Sequence, residues 1–92
     1  MRIEYVGESA KGLGDRGFFV TVKKENSSLM ESYVHWFCKE WEYKMGYHGV
    51  DPIRPNRYYF FIGGIKDRQM FELVKPYFKS NAKSIANLDA RC

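Results

Sequence analysis

A chain of 92 residues, 45% hydrophobic and 28% charged, has room for a single domain around one core, which excludes a second catalytic lobe, intrinsic disorder and low-complexity scaffolds. Lys and Arg total 15 against 11 Asp and Glu, a formal net charge of +4, and 17% of residues are aromatic, a combination that favours a polyanion as partner. Cys38 and Cys92 cannot build a disulfide framework, Arg2 and Glu4 stand where a leader would be apolar, and the longest apolar run, Tyr58 to Ile62, falls far short of the roughly 20 residues that cross a bilayer. The expectation is a reduced, cytoplasmic protein with no membrane span.

Arg2 to Val6 and Gly17 to Lys23 alternate in strand fashion, with Gly7, Gly12, Gly14 and Gly17 between them, so the two form a hairpin whose loop carries Lys11 and Arg16. Ser28 and Glu31 have capping-box spacing, and Met30, Tyr33, Val34, Phe37 and Trp41 follow with helical period toward a cap at Gly46. Leu29, Trp36, Tyr43 and Tyr47 form a second row beside the first, so Trp36, Tyr43 and Tyr47 are candidate anchors for a protein partner. Gly46 to Asn56, with Gly49, Pro52 and Pro55, reads as an irregular connection. Arg57 to Gly63 is apolar on both faces and reads as a central strand. Asp67 is placed to cap a second helix with the apolar row Met70, Phe71, Val74, Tyr77 and Phe78, which Pro76 should kink or interrupt. Lys83 to Leu88 is a weak final edge strand.

The order ββαβα, with that final β, implies an α/β (α+β) two-layer sandwich: a mixed sheet of three or four strands with both helices on one face. Tyr58, Phe60 and Ile62 share one face of the central strand, and Ile62 assigns that face to the core. Tyr59 and Phe61 then lie on the opposite, open face together with Phe19.

Gly12 to Gly17 fits G-x-G-x-x-G, but a strand follows where a dinucleotide fold needs a helix. His35, Cys38, His48 and Cys92 lack the spacing of a compact zinc site, and Cys38 beside the apolar row reads as a buried thiol. No paired carboxylates or Ser-His-Asp arrangement is present, so a non-enzymatic protein without cofactor or metal is expected. Pro52 to Pro55 fits P-x-x-P but reads as a rigid turn whose useful residue is Arg54, with Arg57 beyond it. Residues 47 to 92 hold eight basic and four acidic groups, whereas 27 to 46 hold two basic and three acidic, so the basic excess lies beside the aromatic strand.

Phe60-Phe61-Ile62-Gly63-Gly64-Ile65 followed by a helix resembles the first strand and helix of the RNA-recognition motif family, whose strand aromatics stack on bases. Arg16-Gly17-Phe18-Phe19-Val20-Thr21-Val22 resembles that family's other strand motif with one residue missing. The two occur here in reverse order, which corresponds to a circular permutation.

The functional expectation is a binder of nucleic acid or of a nucleoprotein complex, using Lys11, Arg16, Arg54 and Arg57 on phosphates and Phe19, Tyr59 and Phe61 on bases. Small size without catalytic groups also suits a viral or mobile-element inhibitor of a host nucleic-acid machine, anti-CRISPR-like in role. The alternative is a protein-interaction module or inhibitor, with a host protein as partner, anchored by the helix aromatics Trp36, Tyr43 and Tyr47.

Overall fold

The computed structural model describes residues 1–7 and 16–90. Strands β1 (Arg2–Val6), β2 (Gly17–Lys23) and β4 (Arg57–Gly63) occupy the stretches their alternation marks, and a further strand, β3 (Lys44–Val50), joins them in one sheet of order β1-β2-β4-β3. Helices α1 (Ser27–Trp41), α2 (Arg68–Asn81) and α3 (Lys83–Asp89) supply the second layer. The molecule is an α+β sandwich with β4 central, as its two apolar faces require.

The sheet is antiparallel throughout rather than mixed. The difference comes from β3, which occupies part of the stretch read as an irregular connection. Its glycines, Gly46 and Gly49, and a register shift between Met45 and His48 conceal its alternation. Because β2 and β3 both run antiparallel to β4, they run parallel to each other with β4 inserted between them, so the crossover through α1 is a split β-α-β unit.

One face of the sheet presents Phe18, Val20, Val22, Phe60 and Ile62 to the helices. Met30, Val34, Phe37 and Cys38 return from α1 at helical spacing, and Phe71, Val74 and Phe78 return from α2. At the centre Phe78 meets Phe18 and Phe37 edge-on, at centroid distances of 5.4 Å and 4.9 Å. Met70 and Tyr77, read as part of the buried row, lie on its margins and are exposed.

Helix α1 starts after a 3₁₀ turn, Lys24–Asn26, with Asn26 rather than Ser28 at its N-cap. It stops well before Gly46, at Glu42, which adopts the left-handed conformation (φ 58°) and returns its N–H to the Cys38 carbonyl. Asp67 caps α2 as expected, accepting the Met70 N–H at 2.8 Å, and the helix continues past Pro76 without interruption. Lys83 to Leu88 is helical, not an edge strand: Ile85 packs against the core and the turn delivers Asp89 to the sheet corner.

Asp89 is a fully buried carboxylate. It accepts the Lys23 N–H at 2.7 Å and the Asn26 side-chain amide at 2.9 Å, and it pairs with the Met1 ammonium at 2.5 Å. Burial by itself would raise its pKa, but the hydrogen bonds from the amino terminus, Asn26 and Lys23, and the charge of the ammonium, outweigh that and hold it below the ordinary carboxylate range. The contact also brings Met1 beside α3. The path β4-α2-α3 therefore ends next to β1, which runs parallel to β4 with β2 between them, as a second split crossover open only at the chain ends. Among the described residues no helix is long and apolar enough to cross a membrane.

Candidate nucleic-acid interface

Strand alternation sends the other set of side chains to the face away from the helices. Register aligns Arg2 with Thr21, Glu4 with Phe19, Thr21 with Tyr59, and Phe19 with Phe61, which places these residues on one surface. Phe19 lies 5.1 Å from Phe61 and meets Tyr59 edge-on at 5.8 Å, measured between ring centroids.

Phe61 is on the expected face but is not available for stacking, since only 2% of its surface is exposed. Gly46 on the neighbouring strand has room for the ring only because it lacks a side chain: a Cβ there would come within 2.8 Å of Cδ2 of Phe61. Phe19 and Tyr59 remain partly exposed.

Tyr47 belongs to this surface rather than to the helical row. Helix α1 has ended before Tyr43, so the helical period does not extend to Tyr47, which sits at the irregularity of β3 and lines a cleft with Phe19 and Tyr59. Glu4, Thr21, Asp51 and Pro52 complete that cleft. An adjoining cleft, lined by Met1, Arg2, Thr21, Arg54 and Arg57, shares Thr21 with the first.

The cations there differ in freedom. Asp51 Oδ1 accepts the N–H groups of Ile53 at 2.8 Å and Arg54 at 3.3 Å, and the Arg54 carbonyl accepts the Arg57 N–H, so the turn after β3 presents Arg54 from a fixed base. Arg57 stands 4.0 Å from Asp89 and is only one-third exposed, which commits part of its charge to the fold. Arg2 contacts Glu4 at 3.1 Å with both side chains in solvent, a pairing of small energy.

Arg16 has a structural task instead of projecting from a hairpin tip. Its guanidinium donates to the Lys66 carbonyl at 3.1 Å, and its own carbonyl accepts the N–H groups of Gly64 and Ile65. Lys11 lies outside the described residues.

On the helical side, Trp36 stacks on Tyr33, whose hydroxyl donates to the Phe78 carbonyl at 2.7 Å. Tyr43 stacks on Trp41, and Trp41 reaches Tyr77 on α2. Trp36 and Tyr43 are thus parts of two separate pairs flanking Phe37. Cys38 is buried, and that burial pushes its thiol pKa up to about 11, which leaves it a poor nucleophile. His48 shares a hydrogen bond of 2.8 Å with the Tyr58 hydroxyl. Among the described residues no group of three or more His, Cys, Asp or Glu is positioned to hold a metal ion.

Arg2, Glu4, Thr21 and Asp51 were not singled out from the sequence. The signal was present for three of them: Arg2 and Glu4 share a parity in β1, and hairpin pairing sets that parity beside Phe19 and Thr21. No known protein family, curated protein or solved structure matches the chain.

Proposed function

We propose that this protein is a non-enzymatic binder of nucleic acid that holds a single strand across the sheet face away from the helices. The observation carrying this reading is the junction at Thr21 of an aromatic cleft, with Phe19, Tyr47 and Tyr59, and a basic one, with Arg2, Arg54 and Arg57. A base stacks on an exposed ring whatever its identity, and a neighbouring guanidinium neutralises the phosphate that follows it. A single strand suits the site because bases inside a duplex have no free face to stack. The likeness to the RNA-recognition motif supports the same reading in part: the strands carrying its two motifs are neighbours, and of the motif aromatics on the outer face Phe19 keeps contact with solvent while Phe61 does not.

Fluorescence anisotropy with labelled single-stranded oligonucleotides over a salt series tests this. Affinity should fall with salt, with a slope in log K against log salt of about −0.7 for each phosphate engaged. The double variant Arg2→Ala, Arg54→Ala should flatten that slope by about one unit. No binding at low salt, or binding indifferent to salt, overturns the proposal.

A second reading, a protein-interaction module, is favoured by Trp36, which is 46% exposed, and by the Trp41–Tyr77 pair. A nuclease-treated pull-down separates the two: a protein partner that survives the nuclease and is lost in Trp36→Ala supports this second reading.

A further inference from the structure

The aromatic cleft carries two acidic side chains, Glu4 from β1 and Asp51 from the turn after β3, which belong to the two opposite edge strands of the sheet. Beside three arginines that would track phosphates, their placement is selective, because a carboxylate repels a phosphate. It accepts hydrogen bonds and donates none, so next to a stacked ring it favours an N–H group. Asp51 is held in place by the two N–H groups its Oδ1 accepts. Glu4 is exposed and, among the described residues, pairs with the equally exposed Arg2. One carboxylate is thus fixed and the other adjustable.

We infer, resting on the nucleic-acid reading above, that this cleft takes a base bearing an exocyclic amino group and discriminates against one presenting carbonyls there: cytosine is preferred over uracil. The two have the same ring size and differ at their edge. Cytosine offers the N4 amino group, the donor that Asp and Glu accept in base recognition. Uracil's single edge donor, N3–H, lies between two carbonyl oxygens that a carboxylate repels.

The test compares oligo-cytidine and oligo-uridine of equal length at pH 8 and matched low salt, by anisotropy. The wild-type protein should bind the cytidine strand about tenfold more tightly. Asp51→Asn combined with Glu4→Gln keeps the turn acceptor and the side-chain shapes but removes both charges, and it should bring the ratio close to unity while uridine binding holds or improves. Glu4→Gln alone, at an exposed position, narrows the ratio without touching the turn and serves if the double variant fails to fold. Equal wild-type affinities, or a ratio unchanged in either folded variant, overturn the inference and leave the nucleic-acid reading intact. Failure to bind either strand at low salt overturns both.

Discussion

Phe19 and Phe61 face each other across the two central strands, yet Phe61 is sealed against Gly46 while Phe19 remains in partial contact with solvent. Two rings on one face therefore have separate tasks. Phe61→Ala should cost about 3 to 5 kcal/mol of folding stability, the usual loss for a buried Phe. Phe19→Ala, which removes a partly exposed ring in contact with Phe61 and Tyr59, should cost less stability than Phe61→Ala and weaken single-strand binding by about 1 to 3 kcal/mol. Paired denaturant and anisotropy titrations check both, and a Phe19 variant that loses stability but no affinity would return that ring to the core.

Asp89 predicts the acid limb of the stability curve. Its pKa is lower in the folded protein than in the unfolded chain, so its contribution is fully present above the ordinary carboxylate range and is lost as pH falls through the folded value. Asp89→Asn keeps an oxygen for Lys23 and Asn26 but leaves the buried Met1 ammonium without a counter-charge. It should cost about 3 kcal/mol at pH 7. The deficit should shrink as the wild type is titrated below its folded pKa. Urea midpoints measured from neutral pH downward check this, and a deficit constant with pH would assign Asp89 a purely hydrogen-bonding role.

The contact between Met1 and Asp89 makes a permuted chain feasible. Joining residue 90 to residue 1 by a short Gly/Ser linker and opening the turn between β3 and β4 yields the order β4-α2-α3-β1-β2-α1-β3, in which both split crossovers are continuous or preserved. The permutant should melt cooperatively with an unchanged far-ultraviolet circular dichroism spectrum. It should be destabilised by about 3 kcal/mol, because the linker replaces the ammonium opposite Asp89 with a neutral amide. A non-cooperative melt would show that the β3–β4 turn is indispensable to the sheet.

Much of this architecture was legible because alternation is a strong signal where side chains are large: Phe18, Val20 and Val22 against Phe19 and Thr21 define β2 and its faces at once. Strand β3 was illegible for the opposite reason. Gly46 and Gly49 carry no side chain to alternate, and the irregularity between Met45 and His48 shifts the parity. The same glycine explains the misjudged exposure of Phe61, since nothing in the sequence indicates that Gly46 lies beside that ring. The end of α1 was obscured because Glu42 takes a conformation usually left to glycine. In the candidate site, a search for positive charge brought out Arg54 and Arg57 but passed over the acidic Glu4 and Asp51, whose value arises only when the sheet places them around Phe19 and Tyr59.

The Asp89 corner also orders events during synthesis. Its partners Lys23 and Asn26 precede it by 66 and 63 residues. A ribosome adding about 5 to 20 residues per second needs several seconds to cover that interval. Throughout it, the amide donors at the end of β2 lack their carboxylate acceptor, while α1, β4 and α2 are made in turn and come to cover the apolar face of β2. The sheet can therefore be covered before this corner is complete, and the delivery of Asp89 at the end of α3 is the step that closes it.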